Sequence, residues 1–160
     1  MHGDPLAFFL TWPTYGTWLP GDARGWTEYR HGWQMPDPAR ELESSAKMKE
    51  DACILTLQQR ELVQRQVKQT CEHRGWTLHG VSCRSNHIHL VVTAVENHPK
   101  KVRIDIKAWC TRRSKQAYEP SRENWWAERG SQRFINDEFS LHRAIEYTRE
   151  AQDRKHLSAG

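Results

Sequence analysis

The run Arg84-Ser85-Asn86-His87-Ile88-His89-Leu90-Val91-Val92 constrains this chain more than any other segment, because its alternation reads as a β-strand with two chemically different faces. Successive side chains of a strand leave opposite faces, so Ile88, Leu90 and Val92 share one face while His87 and His89 share the other. Residues two apart on a strand lie roughly 7 Å apart. Two imidazoles at that spacing either face solvent from a half-buried strand or converge on one metal ion.

The surrounding patterns place that strand in an α+β domain. Leu6 to Tyr15 reads as a strand with Phe8, Leu10 and Trp12 on one face and Phe9 and Thr11 on the other, ended by Pro13. Thr17 to Glu50 is irregular and rich in Gly and Pro, with its last part helical. Ile54 to Arg74 carries Leu55, Leu62, Val63, Val67, Thr70 and Cys71 at helical spacing and stops at Gly75. Trp76 to Cys83 is a strand. Pro99 to Tyr118 is a second long helix, with Val102, Ile106 and Trp109 inward and its basic side chains outward.

Trp125 to Glu128 and Gln132 to Ile135 flank Arg129-Gly130-Ser131 and read as a β-hairpin. A last helix follows, capped by Asn136 or Asp137, with Leu141, Ala144, Ile145 and Thr148 as its buried stripe. This order predicts a ferredoxin-like antiparallel sheet with helices on one face, plus an additional β-hairpin and a C-terminal helix. We read it as a single domain over 1–160 with an irregular insertion at about 17–50.

Composition narrows the function classes. No apolar run approaches a membrane span and the first residues lack the pattern of a signal peptide, so we expect a cytoplasmic protein. Cys53, Cys71, Cys83 and Cys110 form no Cys-x-x-Cys pair, which argues against a zinc knuckle or a disulfide framework. Net charge is only +4, but Lys100, Lys101, Arg103, Lys107, Arg112, Arg113 and Lys115 crowd one segment, and the chain has 8 tryptophans. Cations neutralise phosphates and exposed aromatic faces stack on unpaired bases, a combination suited to single-stranded nucleic acid. The bland alternative is a solvated helix and tryptophans that build a second small core.

Tyr147 lies on the last helix roughly 100° from the centre of its apolar stripe. It therefore flanks the core, either as a rim tyrosine or as a phenol projecting over a neighbouring sheet face.

Together these residues resemble the single-tyrosine HUH transposases, and among them the REP-associated tyrosine transposases and related bacterial proteins. The matching stretches are Asn86-His87-Ile88-His89-Leu90-Val91-Val92, Ala144-Ile145-Glu146-Tyr147, Thr11 through Asp22, Ile106-Lys107-Ala108-Trp109, and Gly130-Ser131 before an aromatic strand. They cover most of the chain except roughly 32–54.

The resemblance implies a metal-dependent single-stranded DNA endonuclease and strand-transferase, a nickase-ligase working near hairpin or palindromic DNA. His87, His89 and an oxygen ligand would hold Mg²⁺ or Mn²⁺, and Tyr147 would attack the scissile phosphate to give a 5′-phosphotyrosine link and a free 3′-hydroxyl. It also implies a bacterial, nucleoid-associated setting when bound to DNA, and either a homodimer or a monomer. A non-catalytic nucleic-acid-binding module derived from a transposase is the alternative.

The third ligand departs from the family pattern. The position four residues after the tyrosine is Ala151, where relatives carry Asn or Gln. Gln152 serves if the helix unwinds or bulges there; Glu150, about 60° from Tyr147 on a regular helix, is the alternative. Trp12, Trp18 and Trp26 are the base-stacking candidates, and Lys107, Arg112 and Arg113 the phosphate contacts. Tyr15, Tyr29 and Tyr118 fit stacking or packing better than nucleophilic attack. His79 reads as structural, and His98 receives no role.

Overall fold

Strand β1 (Ala7–Pro13) lies between β5 (His87–Thr93) and β6 (Ser131–Ile135), and β4 (Thr77–Cys83) completes an antiparallel sheet in the order β4-β5-β1-β6. In this computed structural model the described residues are 4–28 and 30–158, with 151–158 as helical backbone. The register pairs Leu10 with Leu90, Thr11 with His89 and Pro13 with His87, so the apolar faces of β1 and β5 coincide.

Two helices cover that apolar face. Helix α2 (Leu57–Arg74) starts later than the periodicity suggested, because Thr56 caps it through a capping box with Gln59. Leu55 is buried just ahead of that cap, while Ile54 is exposed. The helix ends at Gly75, whose φ of 74° is a left-handed cap that favours glycine. Helix α3 (Pro99–Ala117) begins with proline at its first turn, where no amide hydrogen is needed. Phe8, Leu10, Trp12, Ile88, Leu90 and Val92 pack there against Val63, Val67, Val102 and Ile106.

The last helix, α4 (Glu138–Ser158), packs on the opposite face of the sheet, where Phe9, Leu141, Ala144 and Ile145 close over Ala7, Val91 and Ile135. The expectation of helices on one face thus holds for α2 and α3, and α4 makes a third layer. Asp137 caps it by accepting from Ser140 N at 2.8 Å. Close approach to β4 requires a glycine: a Cβ at Gly80 would stand 2.4 Å from Thr148 Oγ1. A register shift between Leu78 and Gly80 marks the same place.

The β-hairpin expected around Arg129 to Ser131 does not form. Both of its arms pair with the one free edge of β1 instead: β6 runs beside Ala7–Thr11, while Tyr15 N donates to Trp125 O and Ala127 N to Pro13 O. A side chain at Gly130 would meet Thr11 O at 2.5 Å, so glycine lets the chain bend between the two segments.

Within the insertion, β2 (Trp26–Glu28) and β3 (Gly32–Gln34) form a small hairpin, followed by the exposed helix α1 (Pro38–Ala46). The turn at Gly21 (φ 94°) packs against the start of α1, where a Cβ would stand 2.2 Å from Glu41 N. Among the described residues no helix is long and apolar enough to cross a membrane.

Candidate active site

His87 and His89 leave β5 on the face that α4 covers, with ring centroids 4.4 Å apart and planes at 81°. Strand alternation places them there, and β1 and the turn before β5 orient them. His89 Nδ1 shares a hydrogen bond with Thr11 Oγ1 at 3.1 Å, across the register pair Thr11–His89. His87 Nδ1 donates to Asn86 Oδ1 at 2.6 Å, since an amide oxygen only accepts. With both Nδ1 atoms engaged, Nε2 is the remaining ring nitrogen on each.

Burial keeps the pair neutral. His87 is pushed down to about 4 first by loss of solvent, then by the charges of Arg84 and Arg24. His89 also falls to about 4, through burial first and then through His87 and Arg84. Neutral imidazoles with oriented rings are the form that binds a cation, so these two residues fit a divalent ion. Among the described residues no third His, Cys, Asp or Glu joins them in a group able to hold a metal, and Glu150 is therefore not brought to the pair. The side chain of Gln152 lies outside the described residues.

Tyr147 does reach the site. Its ring stands 5.4 Å from that of His89 at 81°, and Phe9 touches both, at 5.9 Å from Tyr147 and 6.0 Å from His89. Tyr147 is 48% exposed, so its ring borders that of His89 while the residue stays open to a ligand. The rotation that took Tyr147 off the apolar stripe is what lets it lean over β5. Thr148, the next residue, is buried against Gly80 and seats the helix.

Among the described residues, the other tyrosines lie elsewhere. Tyr15 packs against the core and its hydroxyl accepts from Lys49 N at 2.9 Å, while Tyr118 ends α3. Tyr29 lies outside the described residues. His79 is held by Thr93 Oγ1 at 2.7 Å, a structural histidine. His98, given no role from the sequence, accepts from Lys100 N at 3.1 Å and caps α3.

Expected DNA contacts divide sharply. Trp12 is fully buried beneath the sheet and cannot stack on a base, which corrects that reading. Its face of β1 turns toward α3, where Lys107 lies 5.7 Å from the Trp12 ring. Lys107 is half-buried and partly engaged: Nζ donates to Ala127 O at 2.7 Å and Glu128 O at 3.4 Å, tying the segment beside β1 to α3. Burial lowers this ammonium to about 8. Trp18 is 41% exposed, and Trp26 is half-buried. Arg112 and Arg113 are exposed, Arg112 lying 4.8 Å from the Trp109 ring.

Sequence reasoning missed Thr11 as the partner of His89. It was visible as the polar residue beside Phe9, but only strand register identifies what it faces.

Residues 46–148 match the family model described as transposase, IS200-like. No curated protein matches the chain. The fold is similar to a structure described as a REP-associated tyrosine transposase bound to a REP hairpin, at TM-score 0.54 and 10% identity, over 92% of this chain and 67% of that one. It is also similar to a candidate transposase from Deinococcus radiodurans, at TM-score 0.54 and 13% identity, over 94% of this chain and 93% of the other.

Proposed function

Because the chain belongs to the IS200-like transposase family, we propose that it cleaves and rejoins single-stranded DNA beside a DNA hairpin, with Tyr147 as the nucleophile. The observation that supports this most is the meeting of a half-exposed tyrosine with two neutral, oriented histidines across one sheet face. The likeness in fold to a protein bound to a REP hairpin supports hairpin DNA as the ligand.

Tyr147 Oη attacks phosphorus. An Oη–P bond forms, the P–O3′ bond breaks, the phenolic proton is lost and the leaving 3′-oxygen is protonated. The 5′-phosphotyrosine keeps the bond energy, so a DNA 3′-hydroxyl can reverse the step without ATP. His87 and His89 would hold Mg²⁺ or Mn²⁺, which supplies Lewis-acid polarisation of the scissile phosphate; Gln152 would join them only where α4, helical through Ser158, unwinds. Asn86 and Thr11 keep the imidazoles in place. Phe9 packs against both His89 and Tyr147 and so helps set the position of the phenol beside the imidazole.

The test is incubation with hairpin DNA that carries an unpaired extension, in Mn²⁺, Mg²⁺ or chelator, resolved on a denaturing gel. A metal-dependent covalent adduct that disappears in Tyr147→Phe is the expected result. Tight binding with no adduct across varied DNA hairpins would identify a binding module instead.

A further inference from the structure

The insertion ahead of β2 builds a cationic group beside the neutral histidines. Thr14 N and Thr17 Oγ1 both donate to Asn86 O, at 2.8 and 3.2 Å, so the turn after β1 is clamped to the residue that orients His87. Arg24 reaches back over this turn. Its Nη2 donates to Thr17 O at 2.8 Å and to Asp22 Oδ2 at 2.7 Å, and its Nε donates to Asp22 Oδ1 at 2.8 Å.

The guanidinium lies 3.9 Å from the Trp18 ring centre, and the indole N–H is itself fixed to Gly25 O at 2.7 Å. Such a guanidinium is oriented on two edges and one face. Only Nη1 has no hydrogen bond among the described residues, and the side chain is 47% exposed. Through Thr17 it is tied to Asn86, whose side chain holds His87, which places it at the rim of the same site.

Holding an arginine this way costs a loop its freedom and partly neutralises the charge through Asp22. Neither is needed to stabilise an exposed turn, where such an ion pair contributes little. A guanidinium held rigid by its other nitrogens suits a phosphodiester, because the free Nη1 then donates in a fixed direction to one phosphate oxygen. We infer that Arg24 is a substrate-positioning residue that presents Nη1 to a phosphodiester of the single strand lying against the His87–His89 pair. The inference rests on the DNA reading above and adds a contact to it. Asp22 and Trp18 act through Arg24 by fixing its orientation.

The experiment measures binding of a fluorescent DNA hairpin with an unpaired extension over a salt series, together with adduct formation, for the parent, Arg24→Gln and Arg24→Lys. Arg24→Gln should bind more weakly and lower the slope of log affinity against log salt by about 0.7, the value for one phosphate on single-stranded DNA. Arg24→Lys keeps the charge and the parental slope but loses the planar anchoring that fixes the direction of Nη1, and should form the adduct about 10-fold more slowly. A slope lost in Gln and kept in Lys also excludes a merely collapsed loop.

An unchanged slope in Arg24→Gln, with the parent still forming its adduct, overturns the Arg24 contact alone. An Arg24-dependent slope without any adduct in the parent keeps the contact and overturns the nuclease reading. A parent that binds no DNA overturns both.

Discussion

Replacing Gly80 by alanine is expected to disturb the helix that carries Tyr147. The added Cβ would stand 2.4 Å from Thr148 Oγ1, 3.4 Å from its Cβ and 3.7 Å from its Cγ2. Relief of the closest contact needs a movement of about 1 Å. The backbone at Gly80 is not in the positive-φ region, so alanine itself is unstrained and gains about 0.5–1 kcal/mol through a less mobile unfolded chain. Overpacking a buried contact costs about 1–3 kcal/mol and should win, because Thr148 is only 2% exposed.

Two routes relieve the clash. Thr148 can turn away and give up its 2.7 Å hydrogen bond to Ile145 O, a loss of about 1 kcal/mol that leaves Tyr147 in place. Alternatively α4 slides by about 1 Å, which at a reacting group costs on the order of 100-fold in rate. Urea unfolding and the rate of Tyr147 adduct formation, measured on Gly80→Ala, Thr148→Ala and the double variant, separate the routes. Thr148→Ala removes the clashing oxygen, so the double variant should recover most of what Gly80→Ala loses. Parental stability and rate in Gly80→Ala, or a penalty undiminished in the double variant, would refute the packing argument.

Three further outcomes are expected. Trp12→Ala should cost about 3–5 kcal/mol in urea unfolding while leaving the salt slope of DNA binding unchanged, and unaltered stability would show that Trp12 is not core. Asn86→Ala removes the 2.6 Å partner of His87 Nδ1 and should weaken Mn²⁺ binding about 10–100-fold by calorimetric titration; equal affinity would refute the orienting role. His89 sits at about 4 when folded against an ordinary 6.5, so the unfolded chain binds more protons between those values. Stability should therefore fall as pH drops through that window, by up to about 3 kcal/mol from this group. A His89→Asn protein that keeps the parental pH slope would assign the effect elsewhere.

Features legible in the sequence were those carried by local periodicity and local chemistry. The two faces of β1 and β5, the helices before and after β4, and the glycine stop at Gly75 all depend on neighbours a few residues apart. His87 and His89 share a face for the same reason, and Tyr147 leaves the apolar stripe by its angle on the helix. Resemblance to a transposase family, carried by those residues in order, is matched by the family model over 46–148.

Misreadings arose where two elements compete for one partner. The segments around Arg129 look like a β-hairpin because each can pair, but the vacant edge of β1 accepts both in series. Trp12 carries the chemistry of a base-stacking contact, yet it is buried beneath α3.

The sequence by itself determined which side chains share a strand face or a helix face, since backbone geometry repeats every two residues in one and every 3.6 in the other. Only the tertiary structure decided that α4 crosses the histidine face, that Gly80 is small enough to admit it, and that Thr11 and Asn86 turn the imidazoles. Those outcomes depend on contacts between residues far apart in the chain, where register and free volume select a partner that local pattern cannot specify.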